Sequence, residues 1–126
     1  MSRRVLVADD HPPVIIIIRK VLEGGGFSVL SARTGDECLA AVHAEQPDLV
    51  ILDLVMPGMD GMEVLRILRQ DPDTRYLPVI VLTARRGDGD VLNGWLGGAG
   101  RYLTKPFRTE ELVAAVEEVL AAPAQR

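Results

Sequence analysis

Apolar residues follow two rhythms along this chain. Short, nearly unbroken runs recur at "RVLVAD" (4–9), "FSVLS" (27–31), "DLVILDL" (48–54), "PVIVLTA" (78–84) and "RYLT" (101–104). Those around Val50 and Val81 are continuously apolar rather than alternating, the mark of strands covered on both faces, as in a parallel sheet. Between the runs lie longer stretches with helical spacing. Thr34 with Glu37 makes a capping box ahead of "CLAAVHAE", and Asp60 with Glu63 makes another ahead of "VLRILRQ", which Pro72 stops. Thr109 is expected to cap "EELVAAVEEVL", where Leu112, Val116, Val119 and Leu120 share one face and Glu110 and Glu111 occupy the favourable first turn. Strand and helix alternate in five successive units, which predicts an α/β fold with a parallel sheet and right-handed crossovers.

Two of the helices are irregular. "VIIIIRKVL" (14–22) is rich in β-branched residues and reads locally as strand. A crossover between parallel strands needs about a dozen residues, usually a helix, and Pro12–Pro13 suit a helix start, so the prediction is a helix against propensity. Helical spacing then puts Val14, Ile17, Ile18 and Val21 on the core face. Ile15 and Ile16 are left pointing outward, either as half-covered packing residues or as an apolar patch for a partner helix or a second copy. The stretch "RGDGDVLNGWLGGAG" (86–100) carries six glycines. Each costs roughly 0.5–1 kcal/mol relative to alanine inside a helix, so the fourth helix is expected to be short and mobile, and spacing leaves Trp95 either in the core, the default, or at a surface contact.

Composition narrows the class without changing this picture. A chain of 126 residues is the size of one domain with a proper core. Its net charge of −4 argues against direct nucleic-acid binding through a broad basic surface. The single cysteine, Cys38, rules out an internal disulfide, suits a reducing cytoplasm and reads as a small core residue. "MSRRV" is basic, but Asp9 and Asp10 break the apolar stretch after it, so no signal peptide is expected. The longest apolar run, Val14 to Ile18, is too short to cross a bilayer. The expectation is a cytoplasmic domain without a membrane partner.

Chemistry enters at the strand ends, because open parallel α/β sheets bind ligands at the carboxyl ends of their strands. The first strand ends in Asp9 and Asp10, the third in Asp53 before the tight turn "MPGMDG", the fourth in Thr83, and the fifth leads to Lys105 and Pro106. Each residue alone has a plain structural explanation, as a cap, a strand end or a solvated charge. Together they bring three carboxylates, a hydroxyl and an ammonium to one rim. Two carboxylates ~4 Å apart repel by about 4 kcal/mol at an effective dielectric of 20, so the arrangement calls for a cation. An all-oxygen set of carboxylates, water and a backbone carbonyl suits Mg²⁺. No His/Cys cluster suggests zinc, since His11 and His43 stand alone.

"VLVADD", "PDLVILDLVMPGMDG", "LPVIVLTA" and "GAGRYLTKPF" together resemble the receiver domain of two-component response regulators, from about Arg4 to Leu120. The resemblance implies a flavodoxin-like, five-stranded parallel sheet in order 2-1-3-4-5, with helices on both faces, over residues 1–122. Residues 123–126 would be a tail or the start of a linker. It implies that Asp53 accepts a phosphoryl group from a phosphohistidine on a sensor histidine kinase or histidine phosphotransfer protein. By the same resemblance Asp10, Asp53 and the backbone carbonyl of Val55 would ligate Mg²⁺, with Asp9 helping through water. Lys105 would pair with a phosphoryl oxygen and Thr83 would hydrogen-bond another. Tyr102 would turn inward on activation, altering the surface of the fourth helix, fifth strand and fifth helix, and the Lys105–Pro106 bond would be cis.

The chain also departs from the family. Gly100 and Arg101 stand where acidic residues are common, and the "IIII" run replaces polar positions on the first helix, where receivers meet the kinase's helical bundle. "ADDHPP" resembles openings of regulators that carry a helix-turn-helix output domain. Effector and oligomeric state, including a homodimer, stay open. A rival reading is a haloacid-type phosphohydrolase, which also uses an aspartyl nucleophile. That chemistry wants a second Asp as general acid/base two residues after the nucleophile, and the position here is Val55. A slowly hydrolysed aspartyl phosphate suits a switch better than a turnover enzyme. A phosphorylation-independent binding module on the same fold would be expected to lack Asp53, Thr83 or Lys105, and all three are present.

Overall fold

The computed structural model describes residues 3–84 and 101–121, so the expectations for 86–100, Trp95 included, lie outside the described residues. Five strands, β1 (Arg4–Ala8), β2 (Ser28–Ala32), β3 (Leu49–Asp53), β4 (Val79–Thr83) and β5 (Arg101–Thr104), form one sheet in the order β2-β1-β3-β4-β5. Every pairing is parallel. β3 and β4 are buried at all of their positions, which is why their sequences show no alternation. Side-chain alternation along the strands divides the core in two. Val5, Val7, Ile51 and Ile80 pack on one side under α1 (Pro12–Gly24) and the C-terminal helix (Thr109–Ala121). Leu6, Ala8, Leu52 and Val81 pack on the other under α2 (Gly35–Glu45) and α3 (Gly61–Gln70). Truncating one of these fully buried aliphatic side chains to alanine costs about 2–5 kcal/mol, so both layers hold the sheet rigidly beneath its rim.

The first crossover is helical despite its four isoleucines, with Pro12 and Pro13 in its first turn. Its facing differs from the prediction. Ile15, expected to point outward, is buried together with Ile18 and Leu22, whereas Ile17, expected in the core, is 49% exposed beside Ile16 at 63%. Val14 and Val21 flank the buried stripe. The helix is thus rotated by less than one residue step of about 100°. A run of like side chains satisfies several phases equally, and the path from β1 through the proline pair selects among them. Ile15 is therefore a packing residue, and the outward patch consists of Ile16 and Ile17.

Caps follow the sequence in α2 and α3, where Thr34 Oγ1 accepts from the Glu37 N–H at 3.1 Å and Asp60 Oδ1 from the Glu63 N–H at 3.0 Å. The C-terminal helix differs, because Thr109 is already its first residue. There Glu111 Oε1 reaches back to the Arg108 N–H at 3.0 Å, while the Thr109 hydroxyl turns to Glu110. Arg108 therefore holds the cap position, its carbonyl accepting from the Leu112 N–H at 3.1 Å, and Glu111 supplies the backward half of a capping box. Cys38 is buried, as expected, and its thiol is pushed up to about 12 by burial.

Candidate functional site

Register brings the rim together. Ala8 pairs with Leu52, so the next residues along, Asp9 and Asp53, come level at the ends of adjacent strands. Asp53 pairs with Leu82 and Thr83 with Thr104, which carries Thr83 and Lys105 to the same edge. The Lys105 N–H donates to the Thr83 carbonyl oxygen at 2.7 Å, and the Lys105–Pro106 bond is cis. The Lys105 ammonium then spans two strands, donating to Asp9 Oδ2 at 2.8 Å and Asp53 Oδ2 at 3.3 Å.

The turn after β3 is built from glycine for two separate reasons. Gly58 has φ +75°, a left-handed conformation that costs glycine nothing. At Gly61 a Cβ would stand 2.2 Å from the Asp53 carbonyl oxygen and 2.7 Å from Leu54 Cα. Only a residue without a side chain lets the start of α3 lie against the backbone that carries Asp53, and the Gly61 N–H donates to the Leu54 carbonyl at 2.9 Å. The Val55 N–H donates to Asp53 Oδ1 at 3.2 Å, which fixes the carboxylate from the loop side.

The carboxylates are not equivalent. Asp9 is fully buried and its acceptors are occupied, Oδ2 by Lys105 and Oδ1 by the His11 N–H at 2.9 Å. Asp53 is 4% exposed. Burial above all pushes its carboxyl above the ordinary aspartate value; the Val55 N–H opposes this, Asp9 adds to it, and Lys105 opposes it. Burial also weighs against the Lys105 cation, but the hydrogen bond and charge of Asp9, with the charge of Asp53, outweigh it and hold the ammonium above its ordinary value. Asp10 differs again. Its Oδ1 is buried and makes no hydrogen bond, although His11 Nδ1 lies 3.1 Å away.

That oxygen tests the fit of a divalent cation. With the three carboxylates ionised against one ammonium, two negative charges remain uncompensated, and a buried acceptor without a donor is costly unless something binds it. Ligating atoms of Asp9, Asp10, His11 and Asp53 all lie within 4.8 Å of one another. Mostly hard oxygen donors match the requirements of Mg²⁺, which completes its shell with water. The residues present fit the ion.

The structure thus gathers Asp9, Asp10, Asp53, Thr83 and Lys105 at one edge, with Thr83 only 1% exposed at the end of β4. Val55 stands in the adjoining loop, its side chain turned to solvent at 74% exposure. Tyr102 is partly buried in β5 against the core layer under α2 and α3. Ile15 and Ile16 belong to α1 and take no part in this cluster. The member that sequence reasoning passed over is His11, whose position directly after Asp10 at a helix start was the available signal.

The response regulator receiver domain model matches residues 5–117. The chain belongs to that family, and its domain is a phosphoacceptor of two-component signalling, a system in which receivers act with histidine kinases. Among curated relatives, the DNA-binding response regulator MtrA of Mycolicibacterium smegmatis is 43% identical over 116 residues, covering 92% of this chain and 50% of that protein. This chain spans about half the length of the curated relatives it matches. The chemotaxis response regulator CheY4 of Vibrio cholerae superposes with a TM-score of 0.87 at 28% identity, covering 94% of this chain and 99% of that one. The receiver domain of sensor histidine kinase PA1611 from Pseudomonas aeruginosa PAO1, solved with a magnesium ion coordinated in its active-site cleft, gives 0.87 at 26% identity, covering 97% and 100%. Among the described residues, no helix is long and apolar enough to cross a membrane.

Proposed function

We propose that Asp53 is the phosphoacceptor and that the rim around it takes a phosphoryl group from a phosphohistidine on a sensor histidine kinase or histidine phosphotransfer protein. The observation that carries this reading is the Lys105 ammonium held between Asp9 and Asp53 at 2.8 and 3.3 Å, beside the unpartnered Asp10 Oδ1. A carboxylate oxygen of Asp53 attacks phosphorus, and the P–N bond to the donor histidine breaks. Lys105 is positioned to move from Asp53 to a phosphoryl oxygen while keeping Asp9, so the developing charge meets a preplaced cation. Asp10, Asp53 and the Val55 carbonyl would hold Mg²⁺, with Asp9 acting through water. When bound, the ion neutralises the carboxylates and the phosphoryl oxygens.

The acyl phosphate is a signal, not a turnover intermediate. The residue two after Asp53 is Val55, whose aliphatic side chain supplies no acid or base to activate water. Thr83 would donate its hydroxyl to a phosphoryl oxygen, and Tyr102 would move inward, biasing a two-state surface around β5 and the flanking helices. The receiver unit is taken as 1–122. By analogy with the DNA-binding response regulator MtrA, the switch serves a DNA-binding output, while the acidic receiver itself touches no nucleic acid.

Incubation with acetyl phosphate tests the assignment by intact mass. One added phosphoryl group appears with Mg²⁺, does not form when the ion is chelated beforehand and is absent in Asp53→Asn. Full labelling of that variant would overturn the proposal.

A further inference from the structure

Phosphoryl transfer to Asp53 leaves His11 unexplained. It occupies the cap position of α1, with φ −102° and ψ 105°, yet its side chain makes no capping hydrogen bond. Ser, Thr, Asp and Asn are the residues that serve a cap, so a histidine here forgoes a favourable contact. Its backbone is confined on both sides. The N–H is bound to Asp9 Oδ1 at 2.9 Å, and Pro12 restricts the preceding residue to extended conformations. The ring is therefore presented to the acidic rim from a fixed point. Nδ1 lies 3.1 Å from Asp9 Oδ1 and 3.1 Å from Asp10 Oδ1.

Those separations have a specific geometry. Two donors at right angles on an octahedral ion, each about 2.1 Å from it, sit roughly 3.0 Å apart. Nδ1 and the Asp10 oxygen thus already stand at the spacing of neighbouring ligands. That contact is not a hydrogen bond, and Asp10 Oδ1 keeps its lone pairs free. A nitrogen donor is of little use to Mg²⁺, whose ligands are oxygens, whereas imidazole raises the affinity of a site for divalent transition ions.

We infer that His11, through Nδ1, is an additional metal ligand of this pocket and biases it toward divalent transition ions over Mg²⁺. The inference rests on the proposed cation site at Asp10 and Asp53. To ligate through Nδ1 the neutral ring carries its proton on Nε2.

Mn²⁺ is the probe, bound to the full chain and read by electron spin-echo modulation with the histidine rings labelled with ¹⁵N. Nitrogen coupling appears, changes isotope pattern on labelling and vanishes in His11→Gln, while His43, the other histidine, remains in place. In calorimetric titrations His11→Gln weakens Mn²⁺ binding by about tenfold and Mg²⁺ binding by much less. Mn²⁺ bound without nitrogen coupling, or an equal loss for both ions, overturns the ligand role and leaves the Mg²⁺ site standing. Failure of both ions to bind overturns both readings.

Discussion

Two ion pairs in this molecule invert the usual ranking of geometry and consequence. On α3, Arg66 grips Glu63 one turn away with both arms of its guanidinium, one contact at 3.0 Å and the other shorter. Each side chain stays more than 40% exposed, at 42% and 43%. At the rim, the ammonium of Lys105 is shared between two carboxylates, and its contact to Asp53 stretches to 3.3 Å. The α3 pair is the better fork, but water screens it and the unfolded chain loses little without it. The rim pair joins residues 96 and 52 positions apart and lies where charge is costly to leave alone. Tight contact marks a convenient surface arrangement; an overloaded cation in a buried place marks a site.

The sharpest break of that contrast is Lys105→Ala. It strands Asp9, which is fully buried, and should lower stability by about 1–3 kcal/mol in a urea titration without divalent ions, with Mg²⁺ restoring part of the loss. An unchanged midpoint would mean that the carboxylates find other compensation.

A smaller effect of opposite sign is expected for Asp53→Asn. Asp53 titrates higher in the folded protein than its ordinary 3.8. Its contribution to stability is complete below the unfolded-state value and is lost as pH rises through the raised folded-state value. The metal-free variant, whose amide has no charge to bury, is therefore more stable than the wild type at neutral pH, and the two converge in acid. Parallel stability–pH curves would remove burial as the cause. The raised carboxyl also lets protons compete with the ion, so Mg²⁺ affinity falls as pH drops through that value.

Least of all, Arg66→Ala should leave the urea midpoint unresolved from wild type at any salt concentration. A clear loss there would erase the distinction between the two pairs.

Much of this was legible in the sequence, for physical reasons that differ by element. The strands were plain because burial on both faces of β3 and β4 removes every polar residue from their runs. The site was plain because parallel sheets place chemistry at strand ends, and Asp9, Asp53, Thr83 and Lys105 all fall there. The phase of α1 was not, since four adjacent isoleucines carry no directional information and the choice of Ile15 over Ile17 is made by the chain path. The start of the C-terminal helix was misplaced by one residue because Arg108, which has no capping side chain of its own, takes the cap position while Glu111 binds its N–H. His11 escaped notice because its relation to the carboxylates depends on a side-chain direction that spacing alone does not set.

The most direct measurement separates the three rim carboxylates by chemistry. Protein treated with acetyl phosphate and Mg²⁺ is reduced with borohydride, which converts an aspartyl phosphate to homoserine, and the peptides are mapped by mass. Homoserine is expected at position 53 alone, and none without Mg²⁺. Reduction product at Asp9 or Asp10, or a yield at position 53 indifferent to the ion, would contradict a metal-assisted transfer to Asp53.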